Sequence, residues 1–158
     1  MTSHTHKNKN QELIKHVKEI FTNKIPFNKV IGLKIRLTDD QQASIEFKMT
    51  PKLIGNFYKK SLHGGVISSV LDVTGGIVAF LGVLDKIKNR PNKEKLDRFS
   101  KLGTIDLRVD FLRPGVGKYF KSTGYLLRTG SRVAVTRCEL HNDENKLIAV
   151  GTATYVVS

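Results

Sequence analysis

The chain has 158 residues, 39% hydrophobic and 26% charged, which is enough for one domain with a core and too short for two. Its 27 basic and 14 acidic residues give a net charge of +13. No apolar run comes near ~18 uninterrupted residues, the first twenty residues lack the apolar segment of a secretory signal, and the single cysteine, Cys138, offers neither an internal disulfide nor a metal cluster.

A cytoplasmic soluble protein with no metal is therefore expected. The charge has two readings. One is an anionic partner (nucleic acid, anionic lipid or a phosphate-bearing small molecule), the other lysines that only solvate the surface. The basic residues are spread along the chain. No recognition-helix, zinc-finger or aromatic RNA-binding signature accompanies them, which disfavours nucleic acid.

Residues 1–10 read as a disordered start, and 11–158 as one domain. Leu13, Ile14, Val17, Ile20 and Phe21 recur at helical spacing, predicting an amphipathic helix from Gln11 to about Lys24, ended by Pro26. Residues 27–32 read as a short turn closing at Gly32. Leu33, Ile35 and Leu37 alternate with polar residues, as do Ala43, Ile45, Phe47 and Met49. Residues 39–42 between them make a hairpin turn. Pro51 stops the second strand, and 52–62 reads as a loop.

His63-Gly64-Gly65 opens a segment that is apolar on nearly every side as far as Leu84. A helix of that kind is buried, and about 20 residues would span ~30 Å. Residues 85–101 are basic and contain Pro91. They read as an exposed loop with a weak helical turn, either solvated or covering a ligand. Four strands follow, at about 104–111, 118–128, 132–141 and 146–157, linked as hairpins. The whole is an α+β domain: six antiparallel strands wrapped on a long central helix, with an extra N-terminal helix and a second copy of the chain as the natural cover for the rest.

Asp72 leads the candidates for chemistry. A carboxylate in an apolar helix is costly unless it is paired, solvated in a pocket or neutralised. Its helix neighbours are small: Ser68, Ser69, Gly75 and Gly76. Glycine inside a helix costs about 1 kcal/mol relative to alanine, so something approaches closely there, either a ligand or another backbone. The alternative is a buried Asp hydrogen-bonded to backbone, with glycines that only permit tight packing.

The first-turn amides at Gly64 and Gly65, with the helix dipole behind them, suit an electronegative oxygen. The alternative is glycines that only permit a tight entry turn, with His63 in a structural role. Gly65 and Asp72 lie seven residues apart, ~10 Å along one axis. If both act on one carbonyl, they come from different chains, brought together by two antiparallel helices at a dimer interface. The glycines around Asp72 would then be contact surface. Phe27, Phe57, Tyr58 and Phe80 are candidates to line a substrate pocket.

The stretch from His63 to Gly76, with its Asp nine residues after the His, resembles the central-helix motif of PaaI-like hot-dog-fold acyl-CoA thioesterases. Val109-Asp110-Phe111-Leu112-Arg113-Pro114-Gly115 resembles that family's strand end, and Arg128 to Val135 its later hairpin. The resemblance runs from about Leu33 to Val156 and is nearest to the YigI-like enzymes of medium- and long-chain acyl-CoA. It implies Asp72 as general base or nucleophile and the Gly65 amide as the group polarising the thioester carbonyl. Asn56 and His63 would position thioester or water, with Gly64 and Ser69 also at the substrate. Arg128 and the turn Gly130-Ser131-Arg132 would meet the pantetheine or phosphates of CoA. The substrate would be a fatty acyl-CoA or aryl-CoA thioester, with no cofactor beyond the CoA it carries. The assembly would be a homodimer associating further, to a homotetramer. Signatures of hot-dog dehydratases and hydratases are missing. A non-catalytic acyl-CoA binding or sensing protein is the alternative.

Overall fold

The computed structural model describes residues 12–37 and 43–158, so the expected disordered start and the hairpin turn at 39–42 lie outside the described residues. Residues 12–19 form helix α1, which buries Leu13 and Val17 as the spacing predicts. At Ile20–Lys24 the helix widens into a π turn that buries Phe21. Pro26 does more than end it. Proline takes the first position of a second helix, α2 (Pro26–Ile31), where the missing N–H has no bond to lose. The expected turn at 27–32 is therefore a helix, and Gly32 closes it with a left-handed φ of 77°.

Strands β1 (Lys34–Leu37) and β2 (Ala43–Lys48) pair antiparallel with Ile35 opposite Ile45 and Leu37 opposite Ala43. The predicted loop 52–62 contains more order than its pattern suggests. A 3-10 turn at Pro51–Leu53 leads into β3 (Ile54–Asn56), which pairs with β4 (Ser61–Leu62) in a small separate ladder. Strands this short carry no readable period.

The central helix α3 (Gly64–Lys86) has an 18-residue window of mean hydropathy 2.0, long and apolar enough by length and composition to cross a membrane. Counting uninterrupted apolar runs hid this, because Ser, Thr and Asp72 break the run. Two thirds of that window (67%) is buried inside the domain, as befits a core helix.

The segment after it is not a plain exposed loop. Nine residues form helix α4 (Asn92–Ser100). Lys95 is buried, with its Nζ donating to the Lys88 carbonyl at 2.9 Å, and Arg98 donates to the Val157 carbonyl at 3.2 Å. Phe99 meets Phe21 and Phe80 edge-on, at centroid distances of 5.6 and 5.0 Å.

Strands β5 (Gly103–Phe111), β6 (Tyr119–Thr129), β7 (Val133–Asn142) and β8 (Leu147–Val156) complete a six-stranded antiparallel sheet of order β1-β2-β6-β7-β8-β5. Thus β6–β7 and β7–β8 are the expected hairpins, but β5 and β6 are not. β5 pairs with β8 at one edge, and the chain crosses back to the middle of the sheet. The sheet wraps α3, as the hot-dog reading expects, with Phe47 and Phe120 stacked 5.2 Å apart in the core. One face of β5 remains an open edge beside the first turns of α3.

Candidate active site

His63 caps α3. Its Nδ1 accepts the Gly65 N–H at 2.9 Å, and its carbonyl accepts the N–H groups of Val66 and Ile67. The amide assigned to the thioester carbonyl is thus engaged within the chain, and the Gly64 N–H is the one with no acceptor among the described residues. β3 runs tightly behind the cap: a Cβ on Gly55 would stand 2.5 Å from the His63 Cα. The Phe111 ring at the end of β5 lies over Gly64, 3.5 Å from where a Cβ would be. A cleft of about 410 Å³ opens here, lined by Asn56, Gly64, Ile67, Phe111 and Arg113. Exposed Asn56 accepts the Lys59 N–H at 3.0 Å. The Ser68 and Ser69 hydroxyls donate back to the Gly64 and Gly65 carbonyls, at 3.0 and 2.7 Å, so Ser69 offers a ligand only its lone pairs.

Two turns along α3, half-buried Asp72 has its own setting. Thr104, at the start of β5, donates to Asp72 Oδ1 at 2.8 Å. The Tyr155 hydroxyl donates to the Asp72 carbonyl oxygen at 2.7 Å and lies 3.3 Å from Oδ1. Tyr155 is 2% exposed. Burial, reinforced by the Asp72 charge, pushes its phenol far above the ordinary range, so it keeps its proton and serves as a donor.

The neighbouring glycines make room for this tyrosine rather than for another chain. A Cβ on Gly75 would stand 2.4 Å from the Tyr155 hydroxyl and 2.7 Å from Thr136 Oγ1. The expectation that they form a dimer surface is corrected accordingly. Tyr155→Phe removes both contacts at Asp72 while keeping the ring. The expected result is a kcat about tenfold lower, with a stability loss of about 1 kcal/mol. Steady-state kinetics beside thermal melts check it, and an unchanged kcat would remove Tyr155 from a positioning role.

Asp72, Thr104 and Tyr155 are the polar side chains lining a chamber of about 250 Å³. Its other walls are Phe21, Ile25, Phe99 and Leu102. The aromatic residues expected to line an acyl pocket lie elsewhere. Phe27, Phe57 and Tyr58 are exposed, the last two at 70% and 85%, and Phe80 is buried behind Phe99. Thr104 and Tyr155 were not legible as site residues. Each sits in an ordinary strand pattern, and only the pairing of β5 with β8 brings them to Asp72.

The CoA-binding residues expected on the later hairpin lie at a third place. The Gly130 N–H donates to the Val133 carbonyl at 2.7 Å, and Ser131 and Arg132 are exposed in the turn. Arg128 lines a groove of about 520 Å³ with Lys86, Tyr125 and Leu126. The Lys86 ammonium donates to the Thr129 carbonyl, which fixes this turn beside the C-terminal end of α3. Gly65 is 21 residues away along that helix, or ~32 Å, and Asp72 is 14 residues away, or ~21 Å. One chain therefore does not bring Gly65, Asp72 and Arg132 to one point. Cys138 takes no part: burial, with a smaller push from Asp72 and against a hydrogen bond from Thr136, raises its thiol to about 12. Among the described residues no cluster of His, Cys, Asp or Glu could hold a metal ion.

The family model of the thioesterase superfamily matches residues 59–149, more than half of the chain and including the helix start, Asp72 and Thr104. The chain belongs to the thioesterase superfamily. Within it, the chain is 44% identical to the medium/long-chain acyl-CoA thioesterase YigI of Escherichia coli K12, over 93% of this chain and 95% of that one. A crystal structure from Shewanella oneidensis, described as related to the thioesterase superfamily, superposes with a TM-score of 0.90 at 44% identity, covering 94% of this chain and 97% of that one. A Bacillus halodurans protein solved with CoA shares the fold, with a TM-score of 0.68 at 16% identity, over 96% and 92% of the two chains. Superfamily membership identifies the chain as a thioester hydrolase and supports the hot-dog reading of its sheet and central helix.

Proposed function

We propose that this thioesterase hydrolyses medium- and long-chain acyl-CoA to the free acid and CoA, with Asp72 as the catalytic carboxylate. The observation that carries the reading is the carboxylate itself, held by Thr104 and Tyr155 on the wall of a mostly apolar chamber. The name of the Escherichia coli relative supports the substrate class. The net charge of +13 suits an anionic CoA.

As general base, Asp72 takes a proton from water while the water oxygen adds to the thioester carbonyl carbon. As nucleophile, its own oxygen adds and water later releases the acid. In both, the C–S bond breaks and the thiolate of CoA leaves and is protonated. The negative charge on the carbonyl oxygen falls to amides at a helix N-terminus: Gly64, and Gly65 once the His63 ring yields it. Asn56 and His63 flank that position.

Those amides belong to a second copy of the chain. β5 is an open edge next to Asp72, and its Ile105 and Phe111 are 59% and 56% exposed. Such an edge invites pairing. If two β5 strands pair antiparallel with Arg108 opposite Arg108, the bulge between Thr104 and Asp106 places Thr104 of one chain opposite Phe111 of the other. Thr104 holds Asp72 and Phe111 covers Gly64, so each carboxylate faces the other chain's helix start. That arrangement spans the ~10 Å that separates Gly65 from Asp72 within one chain. The CoA phosphates would reach Arg128 and the turn at Gly130, Ser131 and Arg132.

The direct test is free-thiol release from acyl-CoAs of increasing length, with an acyl-CoA binding assay alongside. Turnover supports the enzyme. Binding without turnover would replace it by the sensing alternative. Arg132→Ala is expected to raise KM for acyl-CoA several-fold with kcat little changed, because Arg132 would hold the part of the substrate that does not react. An unchanged KM takes Arg132 out of the CoA site.

A further inference from the structure

We infer that the chamber beside Asp72 receives an unbranched alkyl chain ending in a methyl group, and that Phe99 is the residue that sets how long that chain can be. This rests on the thioesterase reading above. The polar side chains of the chamber are Asp72, Thr104 and Tyr155, and Thr104 and Tyr155 both lie against Asp72. The other side chains that line it, Phe21, Ile25, Val73, Phe99 and Leu102, are all apolar. A ligand whose reacting carbonyl sits at Asp72 therefore points its tail at a wall without a hydrogen-bond partner. A hydroxyl or carboxyl carried there would be stranded.

The wall is built by the two parts of the chain added around the sheet-and-helix core. α1 opens into a π turn at Ile20–Lys24, and that turn presents Phe21. π turns recur at functional sites because they re-aim a side chain within a helix. α4 presents Phe99, wedged between Phe21 and Phe80 with both ring pairs edge-on. Arg98 ties α4 to the Val157 carbonyl. Phe99 is thus held between two rings and behaves as a fixed stop rather than a loose flap.

Gly76 provides the opposite handle. It lines the same chamber, and a Cβ there would meet Tyr155 at 3.5 Å and Leu102 at 3.8 Å, both ordinary contacts. Gly76→Ala therefore shortens the space by one methyl without a clash and favours the helix that carries it.

The test measures kcat/KM for saturated straight-chain acyl-CoAs over a ladder of lengths, for wild type, Phe99→Ala and Gly76→Ala, with melting curves of all three. A methylene that fits or fails to fit a hydrophobic pocket changes kcat/KM by roughly 10–200-fold. Phe99→Ala is expected to move the optimum to longer chains and Gly76→Ala to shorter ones. A matched substrate bearing a terminal hydroxyl is expected to lose on the order of tenfold in wild type. If Phe99→Ala does not fold, the milder Phe99→Leu takes its place with the same expected shift to longer chains. Folded variants with an unmoved optimum, or with equal loss at every length, overturn the inference while leaving the thioesterase reading intact. A wild type that turns over no acyl-CoA at any length overturns that reading instead, and the inference with it.

Discussion

Asp72→Asn lowers acyl-CoA hydrolysis by roughly 10²–10⁴-fold, the range for losing a positioned proton-transfer group. The substitution keeps size and shape. The asparagine oxygen can still accept from Thr104, and the Tyr155 hydroxyl can still donate to the carbonyl of residue 72, since neither bond depends on the carboxylate charge. Thermal stability is therefore expected to change little, and acyl-CoA binding to survive. Thiol release, melting temperature and a binding measurement on the same preparation separate lost chemistry from a lost fold. A variant that retains wild-type turnover would show that Asp72 is only a helix residue tied to its own sheet.

Two inactive variants are expected to restore each other. Gly65→Val crowds the start of α3, where even a Cβ would stand 3.0 Å from His63 Nδ1, and it obstructs the amides offered to the carbonyl. Asp72→Asn removes the carboxylate. If each site takes Asp72 from one chain and the helix start from its partner, a mixed dimer holds one intact site and one doubly impaired site. Random re-pairing of equal amounts gives about a quarter of wild-type activity, since half of the dimers are mixed and each carries one working site of two. Activity that stays at the level of the separate variants, with mixed dimers demonstrated by differential tagging, would place the whole site within one chain. Size-exclusion chromatography of Ile105→Lys tests the same edge independently. The charge at an exposed β5 position should shift the protein toward monomer and remove turnover together with the dimer.

Features carried by local pattern were readable from the residues. The alternation of Leu33, Ile35 and Leu37 against Ala43, Ile45 and Phe47 gives the first ladder, and the apolar run after Gly65 gives the core helix. Asp72 was legible because a carboxylate in that helix has no local reason to be there. Features set by distant pairing were hidden. Nothing near residue 104 or 155 signals that β5 leaves its chain neighbour β6 to join β8, and that choice alone brings Thr104 and Tyr155 to the carboxylate. α4 was obscured by its charge: Leu96 and Phe99 are a thin apolar face among lysines, so the segment reads as solvent loop. Gly75 was read as a place for close approach, which holds. What approaches is an aromatic ring from the chain's own last strand, and sequence spacing does not reveal that partner.

The last strand has a consequence for how the protein comes into being. β8 lies between β7 and β5, supplies Tyr155 to Asp72, and is followed at once by Val157, where α4 is tied. They leave the ribosome after every other strand and helix described above. Until they emerge, β5 has no neighbour in the sheet, α4 lacks its tie to Val157, and the carboxylate lacks the tyrosine hydroxyl that steadies it. A nascent chain that has not yet released β8 therefore carries Asp72 without its finished setting, and catalytic competence waits for that strand.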